Sequence, residues 1–140
     1  MPSQLSVHVV HRGEMRVSAV AGDHTVEMDY PMGGGDRSAL TPLQLLLASL
    51  AGCSGNTMAL LLRRHNQKVS GVEVSALASR RDEHPTVLTD IALEFTVRGT
   101  GLDEAIVRRS LVIAEENLCP VWAMLKEGTP IVATVTLVEE

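Results

Sequence analysis

Residues 41–64 read TPLQLLLASLAGCSGNTMALLLRR, and the fold turns on how this stretch is read. Thr41 has the chemistry of a helix N-cap, Pro42 suits the first helical position, and Arg63 and Arg64 suit the negative end of the dipole. The spacing predicts one helix over 42–64, about 23 residues or roughly 35 Å long. Leu43, Leu45, Leu46, Leu47, Leu50, Leu60, Leu61 and Leu62 ring it on every side. A helix apolar all round must be covered all round. One sheet face covers one side only, so a second helix or a second subunit is required, and the expectation is an oligomer with this helix at its centre. A membrane span is not expected, because Gln44, Ser49, Ser54, Asn56 and Thr57 would each need a partner in lipid.

Upstream, period-two patterning predicts three strands, Ser6 to Val10, Met15 to Ala21 and His24 to Tyr30, joined at Arg12-Gly13 and Gly22-Asp23. PMGGGDRSALTP, 31–42, lacks the strand-before, helix-after context and the Lys-Ser/Thr of a phosphate loop, and reads as a flexible connector. Downstream, Val72 to Ala78 and Val87 to Val97 alternate as a hairpin of long strands around RDEHP. A helix from Asp103 to Asn117, a short one from Pro120 to Lys126 and a strand from Ile131 to Val138 complete the order βββα–ββααβ. This is an α+β arrangement, helices on antiparallel sheet.

At 140 residues the chain should form a single domain, 1–140. Tyr30, Phe95 and Trp122 are its only aromatic residues, so the core must come from aliphatic side chains and few stacking platforms exist for single-stranded nucleic acid. A net charge of -5 removes the basic footprint that nucleic acid or an anionic membrane would need. The N-terminal MPSQLSVHVVHRGEMR lacks the parts of a signal peptide, which makes the cytoplasm the expected location. His8, His11, His24, His65 and His84 are scattered, with no HExxH or CxxC spacing, so neither a metal nor an organic cofactor is expected.

Two cysteines remain, Cys53 and Cys119. In EENLCPVWAML, Pro120 opens a helix and Cys119 is its N-cap, where unpaired N–H groups and the dipole favour thiolate. Glu115 and Glu116 push the other way, and a small apolar residue closing a helix junction is the plainer reading. Cys53 shares a narrow polar seam with Ser49, Asn56 and Thr57. It is either a small buried hydrophobe or a thiol activated by a cation from elsewhere, with Arg12, Arg16 and Arg37 as candidates. As a pair the cysteines suffice for peroxide reduction, one thiolate becoming sulfenic acid and the other thiol displacing it as a disulfide. A merely structural bond would close a loop of about 66 residues and stabilise by about 4 kcal/mol.

Taken together, TPLQLLLASLAGCSGNTMALLLRR, AEENLCPVWAML and the linking HPTVLTDIALEFTVRGTGLDEAIVRRSL resemble the OsmC/organic hydroperoxide resistance proteins, over essentially Val7 to Val138. The resemblance implies an intertwined homodimer around two central helices. It also implies thiol-dependent reduction of organic or lipid hydroperoxides, small hydrophobic peroxides, with Cys53 attacking the peroxide and Cys119 resolving. A dithiol reductant, of the lipoyl type in some members, is implied as a further partner. In the best-studied members a Glu follows the helix-opening proline and pairs with an early Arg. Here Leu43 and then Gln44 follow Pro42, and Arg12 is the nearest candidate for the Arg. The alternative is a binding protein on the same scaffold, holding a small lipophilic ligand without turning over its cysteines.

Overall fold

The β-branched alternation upstream of the long helix builds a three-stranded meander: β1 (His8–Gly13), β2 (Arg16–Ala21) and β3 (His24–Met28), antiparallel and in that order. The computed structural model describes residues 3–140. Two compact units divide the chain, the first ending at Leu46 and the second running from Leu47 to Glu140. Within the first unit a polar relay crosses all three strands. Arg12 Nε donates to the buried Ser18 hydroxyl at 3.1 Å, and that hydroxyl donates to the Glu27 carboxylate at 2.7 Å.

The stretch expected to be a flexible connector is instead tied to one carboxylate. Asp29 is 1% exposed. It accepts hydrogen bonds from the N–H groups of Tyr30 (2.7 Å), Asp36 (3.3 Å) and Ser38 (3.1 Å), and from the Ser38 hydroxyl at 2.9 Å. Gly35 is required here, because a Cβ would fall 1.5 Å from the Tyr30 carbonyl oxygen. The hydrogen bond with the Asp36 side chain, opposed by desolvation and reinforced by those from Ser38 and Tyr30, holds the Asp29 carboxyl well below the usual carboxylate range.

Helix α1 (Pro42–Arg64) starts in the first unit and continues into the second. Thr41 and Gln44 open it reciprocally: Gln44 N–H donates to Thr41 Oγ1 at 3.1 Å, and Thr41 N–H donates to Gln44 Oε1 at 3.0 Å. This capping box satisfies two backbone donors that a helix start leaves free. In the second unit β4 (Lys68–Arg80) and β5 (Leu88–Thr100) form the long hairpin. They are followed by α2 (Glu104–Ile113), a π-helical turn over Ala114–Leu118, α3 (Pro120–Leu125) and β6 (Ile131–Glu139). The expected α+β order holds, with one pairing different in direction. β6 runs parallel to β5, Ile91 opposite Ile131 through Gly99 opposite Glu139, because the helical segment between them carries the chain back to the end where β5 began.

β5 is central in its sheet, and Leu93, Phe95 and Val97 are fully buried from one of its faces. They join Leu50, Met58 and Leu62 of α1, Val107 of α2 and Trp122 of α3 in one core. Each such side chain contributes about 1.5–3 kcal/mol by leaving water.

Because the folded Asp29 carboxyl lies below its ordinary value of 3.8, its contribution to stability is present above that pH and is lost as the pH falls below it. Asp29→Asn should remove this acid dependence and speed amide exchange at Tyr30, Asp36 and Ser38. Unchanged exchange at those three amides would show that the loop does not depend on the carboxylate.

Candidate functional site

The chemistry-bearing residues of the second unit are brought together by two separate local rules. The first is proline's effect on its predecessor, which is driven out of helical conformation into extended backbone. Cys119 duly has φ −83° and ψ 106°, ends the preceding helical segment and caps α3, with Pro120 at its start. The turn before it widens: Cys119 N–H donates to the Ala114 carbonyl at 2.9 Å, closing the π-helical turn. The helix expected over 103–117 therefore ends α-helical geometry at Ile113. The N-cap reading of Cys119 holds, and the residue is 1% exposed.

The second rule is helical periodicity. α1 buries Leu50, Ser54, Met58, Leu61 and Leu62 along one stripe, and Cys53 sits beside that stripe, half-buried. Of the polar side chains around it, two are already committed. Thr57 Oγ1 donates to the Cys53 carbonyl at 2.8 Å, and the Ser54 hydroxyl donates to the Ala51 carbonyl at 3.3 Å. These are back-bonds to the helix itself. Both cysteines are free thiols, and they lie close enough to perturb one another.

The expected lowering of the Cys119 pKa is overturned. Burial is the largest influence and pushes the thiol up to about 11. Backbone N–H groups of Trp122 and Val121 favour thiolate, as an N-cap position should, but the neighbouring Cys53 thiol adds to the upward push. Glu115, expected to repel a thiolate, has Lys126 Nζ 3.9 Å from its carboxylate.

Gln44, standing near the position of the family's carboxylate, is engaged in the capping box with Thr41. Arg12, Arg16 and Arg37 belong to the first unit, where Arg12 spends its Nε on Ser18. Among the described residues no group of three or more His, Cys, Asp or Glu side chains gathers as a metal site. A groove of about 480 Å³ runs between α1 and β4, but neither cysteine lines it. Its helix side is Ala51, Gly52, Gly55, Asn56 and Ala59.

One residue of the site was missed in the sequence. Trp122 follows Cys119 by three positions, fully buried, and stacks on Phe95 with ring centroids 6.2 Å apart and planes inclined by 16°. Its indole Nε1 has no hydrogen-bond partner among the described residues. The signal was there: an i, i+3 spacing from a helix-capping thiol places both side chains on one face.

The chain resembles known proteins in sequence and in fold. The sequence profile of the OsmC-like protein family matches residues 33–134, which include both cysteines. The protein YhfA of Escherichia coli strain K12 is 32% identical over 111 residues, 79% of this chain and 81% of that one. An OsmC-like protein from Mycoplasma pneumoniae superposes with a TM-score of 0.86 at 19% identity, covering 99% of each chain. An organic hydroperoxide resistance protein OsmC from Legionella pneumophila gives a TM-score of 0.71 at 16% identity, covering 96% of this chain and 97% of that one.

A thiol raised by burial stays protonated when folded, so its contribution to stability is present below the ordinary value of 9.0 and is lost as the pH rises from there toward 11. The Cys119 Cβ carbon resonance should accordingly keep shifting with pH beyond 9.0. A titration complete by about pH 8 would mean that the cap N–H groups outweigh burial after all.

Proposed function

The chain belongs to the OsmC-like protein family, and from that premise we propose that it is a thiol-dependent peroxidase that reduces small hydrophobic organic or lipid hydroperoxides through Cys53 and Cys119. Membership of the family points to peroxide-related stress defence. The observation that carries the finer reading is the meeting of two free thiols, one half-buried and one fully buried, from distant parts of the chain.

The chemistry balances with these two residues. The Cys53 thiolate attacks the distal peroxide oxygen; an S–O bond forms, the O–O bond breaks, and the alkoxide takes a proton and leaves as the alcohol. Cys53 is then a sulfenic acid, oxidised by two electrons. The Cys119 sulfur attacks the sulfenic sulfur; an S–S bond forms, the S–O bond breaks, and the hydroxyl leaves as water with the proton of the Cys119 thiol. A dithiol reductant reopens the disulfide by thiol exchange. No step calls for a metal or an organic cofactor.

We further propose that the working form is a homodimer. The support is the state of α1: within one chain only 28% of its most apolar 18-residue window is buried, and Leu46 and Leu60 stand 37% and 39% exposed. Its flank of small residues, Ala51, Gly52, Gly55 and Ala59, offers a second copy close backbone approach along the groove beside β4. We also propose a cytoplasmic location, where a reducing environment keeps both thiols free.

Reduced protein treated with one equivalent of cumene hydroperoxide should form an intramolecular disulfide, seen as loss of both free thiols by mass spectrometry. Cys119→Ser should stop at one oxidised sulfur, and a Cys53→Ser variant that consumes peroxide at the unaltered rate would refute the assignment. The dimer has its own test in Gly52→Leu, since a Cβ at Gly52 meets nothing within 4 Å in the single chain. The substitution should favour the helix by about 0.8–1 kcal/mol and yet convert the dimer to monomer in sedimentation. A Gly52→Leu protein that sediments as the unaltered protein does would remove this flank from the interface.

A further inference from the structure

Trp122 presents a buried hydrogen-bond donor with no acceptor among the described residues. Its side chain is 1% exposed, so water does not serve as the acceptor from outside. Leaving such a donor unpaired costs about 1–3 kcal/mol, and a native core rarely carries that cost without a reason. The stack on Phe95 holds the ring in place, which keeps the N–H from turning toward another partner. What remains is an acceptor that the resting protein does not yet contain.

The surroundings indicate which one. Trp122 stands one helical turn after Cys119, and its backbone N–H is among the groups that favour the Cys119 thiolate against burial. Cys119 and Trp122 belong to one buried cluster, and Cys53 packs against it. When a sulfur in this cluster is oxidised, a polar oxygen appears among apolar side chains, where it needs a donor.

We propose that the Trp122 indole N–H is the donor for the oxygen that Cys53 acquires on oxidation, holding the sulfenic oxygen and supporting it as it leaves. This rests on the peroxidase reading above and adds a residue to it. In the first step the oxygen arrives as the O–O bond breaks and the S–O bond forms, and the indole N–H donates to it. In the second, Cys119 attacks sulfur, the S–O bond breaks, and negative charge grows on the departing hydroxyl until it takes the Cys119 proton and becomes water. A fixed donor in a dry cluster is worth most at that moment.

Trp122→Phe keeps an aromatic ring against Phe95 and deletes the donor, together with the second ring of the indole. After one equivalent of cumene hydroperoxide, its disulfide should form about tenfold more slowly, the effect of losing one hydrogen bond to a charged oxygen. A second measurement leaves Trp122 in place. In Cys119→Ala, where oxidation stops at the sulfenic acid, the indole N–H resonance should move downfield on oxidation; Trp122 is the sole tryptophan, so this signal is unambiguous. If Trp122→Phe forms its disulfide at the unaltered rate and the indole resonance stays in place, the assignment fails while the peroxidase stands. If the unaltered protein forms no disulfide at all, both fall together.

Discussion

A helix that is apolar on every side governs this molecule. The second unit buries α1 along one stripe, Leu50, Ser54, Met58, Leu61 and Leu62, while Leu46 and Leu60 stay 37% and 39% exposed. The position of the first thiol follows from that. Each residue turns by about 100° around an α-helix, so Cys53, next to the buried Ser54, falls at the margin of the stripe. It is neither sealed in the core nor open to bulk water.

The second thiol is governed by a contest that magnitudes decide. At an N-cap the dipole and free N–H groups favour thiolate, but a helix end is worth only about 0.3–1 kcal/mol at ordinary sites. Full burial of a charge shifts a pKa by up to several units. With Cys119 at 1% exposure, burial wins and the thiol stays protonated well past neutral pH. The cap geometry was readable from Cys119-Pro120; the depth at which α3 seats that cap was not, because it depends on Phe95 and Trp122 meeting from distant segments.

The same division between local and non-local information separates what was legible in the sequence from what was not. The helix over 42–64 and the long hairpin follow from period and capping signals that neighbouring residues carry, and Thr41 with Gln44 three places on is a capping box in plain view. Strand direction is different. β6 looks the same on paper whether it pairs parallel or antiparallel, and only the path of the helical crossover decides. The 29–38 loop misled for a related reason: its glycines suggested freedom, but the constraint comes from Asp29, whose burial and three N–H partners no local pattern announces. Of the site, both cysteines were visible as residues. Their approach to one another is a property of the core, and the unpaired indole of Trp122 is a property of its packing.

The asymmetry between the thiols also bears on the order of events in the proposed cycle. Oxidation by a peroxide follows thiolate character and access. Cys53 is the more accessible sulfur, whereas Cys119 is both protonated and sealed away. A peroxide thus meets Cys53 first, and Cys119 is protected from direct oxidation by the same burial that weakens it as a nucleophile. That weakness is tolerable because Cys119 need only attack a sulfur already beside it, and proximity supplies what nucleophilicity lacks. Its retained proton has a use as well, since the hydroxyl leaving Cys53 needs one to depart as water. A lowered pKa at Cys119 would have offered a faster nucleophile but also a second target for peroxide, with no proton at hand for the leaving group.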